Sequence, residues 1–409
     1  MDTRGANLYG VRAGRPSICA PGRPCRLAPR VNEEHMQNRR EFFKTIAGAA
    51  AGAYVAGREF PALAQRGGGR GGRAGGAAAP AGPRKQISIG GKRVTVIDVH
   101  SHCTVDGVAE VVKGTPFERQ AGGRALGADR IALIDSEGID IQVLTINGYW
   151  WWEIQDRGLA DRVVRAQNEG LAKWVSDHKD RFVALSSISL QFPDLAAQQL
   201  DYGVKQLGLR GATIGGHVNG ESLSDPKFDP FWAKANELGV IVFMHPGGAD
   251  NIIKDTAWKA RGDIGNIIGN PLETTYFLTR LIFDGTFDKF PNLKVCGAHG
   301  GGYLPSYFQR TEVACDVRGN AMCANKKHPR EYLKTNIMAD TMVLTDEGLR
   351  HLVAEMGVSQ VVYGTDNPLN WPVPVEMIVN HSTLTNDEKT QILSGNLMKL
   401  LKITTPATA

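Results

Sequence analysis

Four histidines and one aspartate in this chain share a context, because each follows directly on a short apolar run. His100 and His102 close the stretch Val94-Thr-Val-Ile-Asp-Val-His-Ser-His102, whose β-branched residues predict a buried strand over 94–99. Side chains alternate along a strand, so His100 and His102 leave its end in the same direction. Two neutral imidazoles meeting at one point are half of a first-row metal site. His245 follows Val240-Ile-Val-Phe-Met, His299 follows Leu293-Lys-Val-Cys-Gly-Ala, and Asp366 follows Gln360-Val-Val-Tyr-Gly-Thr. His178, His351 and His381 read instead as residues of helix surfaces. Asp98, the one charge inside the first run, reads either as an acceptor orienting an imidazole or as the partner of a buried cation.

These residues need a scaffold that brings strand ends together. After 94–99, apolar runs predict strands over 139–146, 182–188, 209–214, 240–244, 293–298, 335–338 and 360–363. Between them, apolar residues at every third or fourth position predict helices over 159–178, 228–238, 273–288 and 345–356. Strand–helix alternation repeated over about 310 residues points to an α/β fold, the (β/α)8 TIM barrel. A doubly wound sheet would want a glycine-rich turn after its first strand, where this chain has His-Ser-His-Cys. In a barrel, chemistry sits where strands end, which is where the five residues fall. The loop after the second strand carries Trp150-Trp151-Trp152, and Trp150 and Trp151 are read as walls of a substrate pocket, with plain packing that caps the barrel as the alternative. Glycines follow His245 and His299 and would either let backbone approach a ligand closely or simply form the strand-to-helix turns.

The segment before the barrel has a different character. Arg39-Arg40, an Ala/Gly-rich apolar run over 45–57, and Ala62-Leu63-Ala64 follow the order of a twin-arginine signal peptide spanning 36–64. Residues 1–35 are then a non-native extension ahead of Met36. Residues 65–92 are expected to form a flexible Gly/Ala/Arg-rich linker, 93–402 the barrel and 403–409 a tail. Export places the mature protein in the periplasm. The net charge of +5, from 47 basic and 42 acidic residues, is no nucleic-acid footprint. Nothing is apolar over the roughly 20 residues that a permanent membrane span needs. Of six cysteines, Cys103, Cys296, Cys315 and Cys323 fall in the barrel without Cys-x-x-Cys spacing, which argues against a zinc–cysteine site. Free thiols are the expectation, with a Cys315–Cys323 bridge the alternative in an oxidising compartment.

From Val94 to about Leu401 the chain resembles the amidohydrolase-related (amidohydrolase 2) family of metal-dependent hydrolases. That family includes aminocarboxymuconate-semialdehyde decarboxylase and γ-resorcylate decarboxylase. The likeness lies in Ile97-Asp-Val-His-Ser-His102, Val242-Phe-Met-His-Pro246, Phe290-Pro-Asn-Leu-Lys294, Ala298-His-Gly-Gly-Gly-Tyr-Leu-Pro305 and Tyr363-Gly-Thr-Asp-Asn-Pro368. It implies that His100, His102, His245 and Asp366 bind one divalent metal, zinc or else manganese. His299 would act as acid/base beside it, with Asp366 also catalytic. The fourth strand ends in Thr213-Ile-Gly-Gly-His217, with no Lys or Glu to bridge a second ion; His217 is unassigned. A substrate carboxylate wants an arginine, and Arg119, Arg124 and Arg310 are candidates, the family pattern favouring the first two.

The resemblance implies a decarboxylase, a carbon–carbon lyase acting on an aromatic or unsaturated carboxylic acid. The same residues would serve hydrolysis of a lactone or amide by metal-bound hydroxide. An exported ligand-binding protein is the non-enzymatic alternative. A small-molecule acid is the expected partner, and a homodimer is left open.

Overall fold

The computed structural model describes residues 83–121, 125–148, 150–253, 262–318 and 322–404. The expected extension, signal peptide and most of the linker lie outside these residues, as do Arg124 and the end of the tail. Eight parallel strands succeed one another: β1 (Ile97–Asp98), β2 (Ile141–Leu144), β3 (Phe182–Ala184), β4 (Gly211–Ile214), β5 (Ile241–Met244), β6 (Lys294–Gly297), β7 (Ile337–Asp340) and β8 (Val361–Val362). Each falls on one of the predicted apolar runs. The strands β1 to β3 pair in order, and so do β4 to β8.

Two seams join these sheets. Between β3 and β4, Ser186 N–H donates to Gly211 O at 2.8 Å and Thr213 N–H to Ser186 O at 3.0 Å. Between β8 and β1, Val99 N–H donates to Tyr363 O and Asp366 N–H to His100 O, both at 2.9 Å. The sheet is thereby a closed (β/α)8 barrel with no free edge.

The interior follows the two-residue period of the strands. Ile97, Ile141, Val143, Ile241, Phe243, Cys296, Met338 and Val362 pack together inside, while Leu144, Val242, Met244 and Val295 pack outward under the helices. The apolar interior stops at the strand ends, and the next inward positions, His245, Asp340 and Asp366, are polar. The covering helices include Arg157–Asp177, Asp229–Leu238, Asn270–Phe283 and Asp346–Met356, close to prediction. The Asp156 carboxylate caps the first of these at Leu159 N–H (3.0 Å), and the Thr345 hydroxyl caps the last at Gly348 N–H (3.0 Å). Three further helices of seven or more residues, Ala128–Glu137, Pro193–Lys205 and Pro329–Thr335, were not predicted. Two of them start on Pro at the first helical position, where its fixed φ and missing N–H cost nothing.

Several expectations are corrected. The linker does not run to residue 92. Ser88–Ile89 and Lys92–Arg93 form an antiparallel hairpin, Ile87 and Ile89 are buried, and Arg84 pairs with Asp135 and Asp140. Cys315 and Cys323 are not free thiols but form a disulfide, with Cα atoms 5.9 Å apart. His381 is no helix-surface residue; it is buried in a loop, with Nε2 2.9 Å from Asp346 O. Among the described residues no helix is long and apolar enough to cross a membrane.

The hairpin generates a prediction. A chain starting at Val94 should lose roughly 3–6 kcal/mol relative to one starting at Pro83, because each of two isoleucines contributes about 1.5–3 kcal/mol on burial. Urea unfolding midpoints of the two chains check this.

Candidate metal centre

The strand ends gather the predicted residues over the apolar plug. The His100 ring lies 5.1 Å from Phe243 and from His245, and 5.2 Å from His299, between centroids. His102 lies 4.5 Å from His245. Asp366 is shared between them. Its Oδ1 is 3.0 Å from His100 Nε2 and 2.7 Å from His102 Nε2, and its Oδ2 is 3.8 Å from His299 Nε2. One ligand atom from each of His100, His245, His299 and Asp366 lies within 4.8 Å of every other. That quartet contains His299 and leaves out His102, the reverse of the expected set, although His102 Nε2 abuts the shared oxygen.

The polar atoms at this point are unsatisfied by protein. His100 Nε2, His102 Nε2, His245 Nε2, His299 Nδ1 and Asp366 Oδ1 are buried without a hydrogen-bond partner. Buried polar atoms seldom go unpaired, and five around one point fit a bound cation. Three or four imidazole nitrogens and one carboxylate oxygen are a donor set suited to zinc or manganese.

Protonation preferences agree. Burial holds the His102 imidazole below its usual range despite Asp366, and burial together with the neighbouring imidazoles holds His245 well below it. Burial would raise the Asp366 carboxyl, but the His100 and His102 imidazoles hold it well below the usual carboxylate range. For His100, burial acts downward, yet the carboxylates of Asp366 and Asp340 push it up to about 10. The second proton would sit on Nε2, the atom a cation would claim.

The elements position each side chain differently. His245 continues the inward alternation of Ile241 and Phe243, and its Nδ1 lies 2.9 Å from Pro246 O. His299 and Asp366 occupy left-handed backbone, φ 56° and φ 61°. Such non-glycine residues persist where surrounding structure over-determines them. Side-chain exposure separates the imidazoles: His102 and His299 are 21% and 16% exposed, whereas His100 is completely buried. A substrate would meet the first two.

Two buried carboxylates were missed in the sequence. Asp340, at the end of β7, lies 2.6 Å from His100 Nδ1 through its Oδ2. The seventh strand was expected to stop at Met338; reading to its end, as for the others, would have found this acid. Glu273, in the first turn of Asn270–Phe283, accepts through Oε2 from the N–H groups of Gly247, Gly248 and Ala249 at 2.8–2.9 Å, and through Oε1 from Gly216 N–H at 2.8 Å. An acid in a first helical turn reads as a partner of the helix dipole, so no pattern marks it. The glycines after His245 therefore present N–H groups to a protein carboxylate.

Other candidates are placed elsewhere. Asp98 neither orients an imidazole nor meets a cation. It accepts from His100 N–H and Thr365 N–H, both at 3.0 Å, from Gln142 Nε2 at 2.8 Å and from Thr365 Oγ1 at 2.7 Å. Trp150 is half-buried and stacks on Trp152, 5.5 Å between centroids. Gly215 leaves them room over the end of β4, since a Cβ there would stand 3.0 Å from one ring and 3.2 Å from the other. Trp151 is buried among Val108, Val112, Ile154 and Leu159. Arg119 and Arg310 are exposed. Buried Arg130 binds the His102 carbonyl and Gln142. His217 pairs with Asp250 at 2.8 Å, away from the shared carboxylate.

The amidohydrolase family profile matches residues 97–403, most of the chain. The chain belongs to the amidohydrolase family. Among curated relatives, this amidohydrolase is 32% identical over 317 residues to 2-amino-3-carboxymuconate-6-semialdehyde decarboxylase of Dictyostelium discoideum, covering 75% of this chain and 84% of that one. It is 28% identical to a gamma-resorcylate decarboxylase of Polaromonas, covering 67% and 86%. Among solved structures it resembles 5-carboxyvanillate decarboxylase from Novosphingobium aromaticivorans complexed with manganese, with 25% identity, TM-score 0.67 and coverage of 76% and 96%. The enzyme of that name from Sphingomonas paucimobilis gives TM-score 0.68 at 24% identity, covering 76% and 100%, a likeness of fold.

Replacing His100 or His245 with Ala should empty the site, as each supplies a buried nitrogen that nothing else satisfies. Elemental analysis of metal-loaded protein should give about one divalent ion per wild-type chain and less than a tenth of that in either variant, a loss in keeping with a missing ligand.

Proposed function

We propose that this amidohydrolase is a metal-dependent decarboxylase of an aromatic or unsaturated carboxylic acid. The observation that carries the reading is the division of Asp366: Oδ1 faces the unpartnered nitrogens of His100 and His102, while Oδ2 faces His299. One carboxylate thereby serves a cation on one side and a proton-transfer group on the other. The curated relatives named above are decarboxylases that this chain matches over most of their length, which supports the reading.

His100, His102, His245 and Asp366 would hold one ion, zinc or manganese. The end of β4 offers Gly215 and Gly216 where a second ion would need a bridging side chain. When bound, the ion would supply positive charge that stabilises negative charge developing on the substrate. His299 supplies the proton. Placed beside Asp366 and partly exposed, it delivers that proton to the ring or alkene carbon bearing the carboxylate. The bond from that carbon to the carboxylate then breaks, its electrons restore the unsaturated system, and carbon dioxide leaves. Solvent reprotonates His299, so carboxylate plus proton gives the decarboxylated product and carbon dioxide. Trp150, stacked flat on Trp152, suits a planar substrate.

Metal-loaded protein should release carbon dioxide from members of a panel of aromatic and unsaturated carboxylic acids, and His299→Ala should lower kcat by about 10²–10⁴-fold while keeping its metal. Acid release from lactones or amides, with no carbon dioxide from any acid, would replace this reading by hydrolysis.

The mature enzyme is proposed to be periplasmic. Arg39-Arg40 and Ala62-Leu63-Ala64 support twin-arginine export. The Cys315–Cys323 disulfide supports it independently, because such bridges persist in oxidising compartments. N-terminal sequencing of the native protein should begin at Gln65; an intact N-terminus on a cytoplasmic species would overturn the assignment.

A further inference from the structure

Asp340 is completely buried, and it touches two parts of the centre at once. Its Oδ2 lies 2.6 Å from His100 Nδ1 and accepts from the backbone N–H of His299 at 3.1 Å. Its Oδ1 accepts from Gly300 N–H at 2.8 Å and from Met342 N–H at 3.1 Å. The residues it grips by the backbone are in left-handed conformation, His299 at φ 56°, ψ 51° and Gly300 at φ 65°. Left-handed backbone is strained for a non-glycine residue, so something must hold His299 there.

We infer that Asp340 is the positioning residue that sets His100 and His299 relative to one another. A carboxylate can only accept, so Nδ1 of His100 must carry the proton. Nε2 then keeps its lone pair and points it at the place where Asp366 Oδ1 and His102 Nε2 converge. The same carboxylate pins the turn from which the His299 ring projects. One side chain thereby fixes the tautomer of a metal ligand and the aim of the proton donor. The inference rests on the metal reading of the centre, but not on which acid is the substrate.

An amide at this position cannot accept from all four groups that Asp340 holds. If Asn keeps its oxygen on Gly300 and Met342, its NH₂ group faces His100 Nδ1 and the His299 N–H. Nδ1 must then accept, the imidazole proton moves to Nε2, and the ligand lone pair is lost. The His299 N–H is left without an acceptor.

The experiment compares wild type with Asp340→Asn. Chelator competition, with zinc or manganese as the probe, should show metal bound about 10–100-fold more weakly by the variant, the usual effect of losing a partner behind a ligating histidine. Hydrogen exchange in the peptide carrying His299 and Gly300 should accelerate at least about ten-fold, as the His299 N–H loses its acceptor. Metal affinity within two-fold of wild type in a folded variant, or unchanged exchange, overturns the inference. Failure of the wild type to take up either ion overturns the metal reading and this inference with it. Should the variant not fold, ¹⁵N-histidine spectra of the metal-loaded wild type decide, with the signal assigned by its loss in His100→Gln. The expected form of His100 is protonated at Nδ1; protonation at Nε2 overturns the inference.

Discussion

The seam between β8 and β1 is the constraint on which the centre depends. It joins the last strand of the barrel to the first, and both carry ligand candidates past their ends: His100 and His102 on one, Asp366 on the other. The hydrogen bond from Asp366 N–H to His100 O fixes the separation of the two backbones at the point of use. Asp98 reinforces it from below, accepting from His100 N–H on its own strand and from Thr365 on the other. A barrel opened at this seam would keep every apolar contact within its two sheets and lose the site.

Around that seam, buried carboxylates serve as acceptors. Asp98 ties strands, Asp340 ties a ring to a turn, and Glu273 gathers N–H groups from the loops after β4 and β5. Each stands at or next to a strand end, where the ladder stops and backbone N–H groups lose their regular partners. A buried carboxylate that collects several of them is stabilised, and it satisfies groups that would otherwise be orphaned. Burial raises the Asp98 carboxyl, with the hydrogen bonds from Gln142, Thr365 and His100 acting the other way. Asp366 is the exception: its Oδ1 is left without a donor, the feature that makes it a ligand candidate and not a brace.

Much of this was legible in the residues. All eight strands fall on predicted apolar runs, because a strand buried on both faces must be apolar wherever it occurs. His100, His102, His245, His299 and Asp366 were found by the same logic, since a polar residue directly after such a run lies on the rim. Boundaries were less legible. Asp340 was lost because the seventh run was read as ending two residues early, and the hairpin at 88–93 because isoleucines flanked by glycines and arginines look like linker.

The sequence by itself determined the barrel, its eight strands and the polar residues on its rim, since these follow from local period and residue type. Only the tertiary structure decided which groups meet. Asp340 reaches His100 across 240 residues and Thr365 reaches Asp98 across 267, contacts that exist because the barrel closes. It also divided the tryptophans, stacking Trp150 on Trp152 over the end of β4 and burying Trp151 in a separate apolar cluster. Three adjacent identical residues have no pattern from which to read that division. Their fates depend on the surfaces that the fold brings against them.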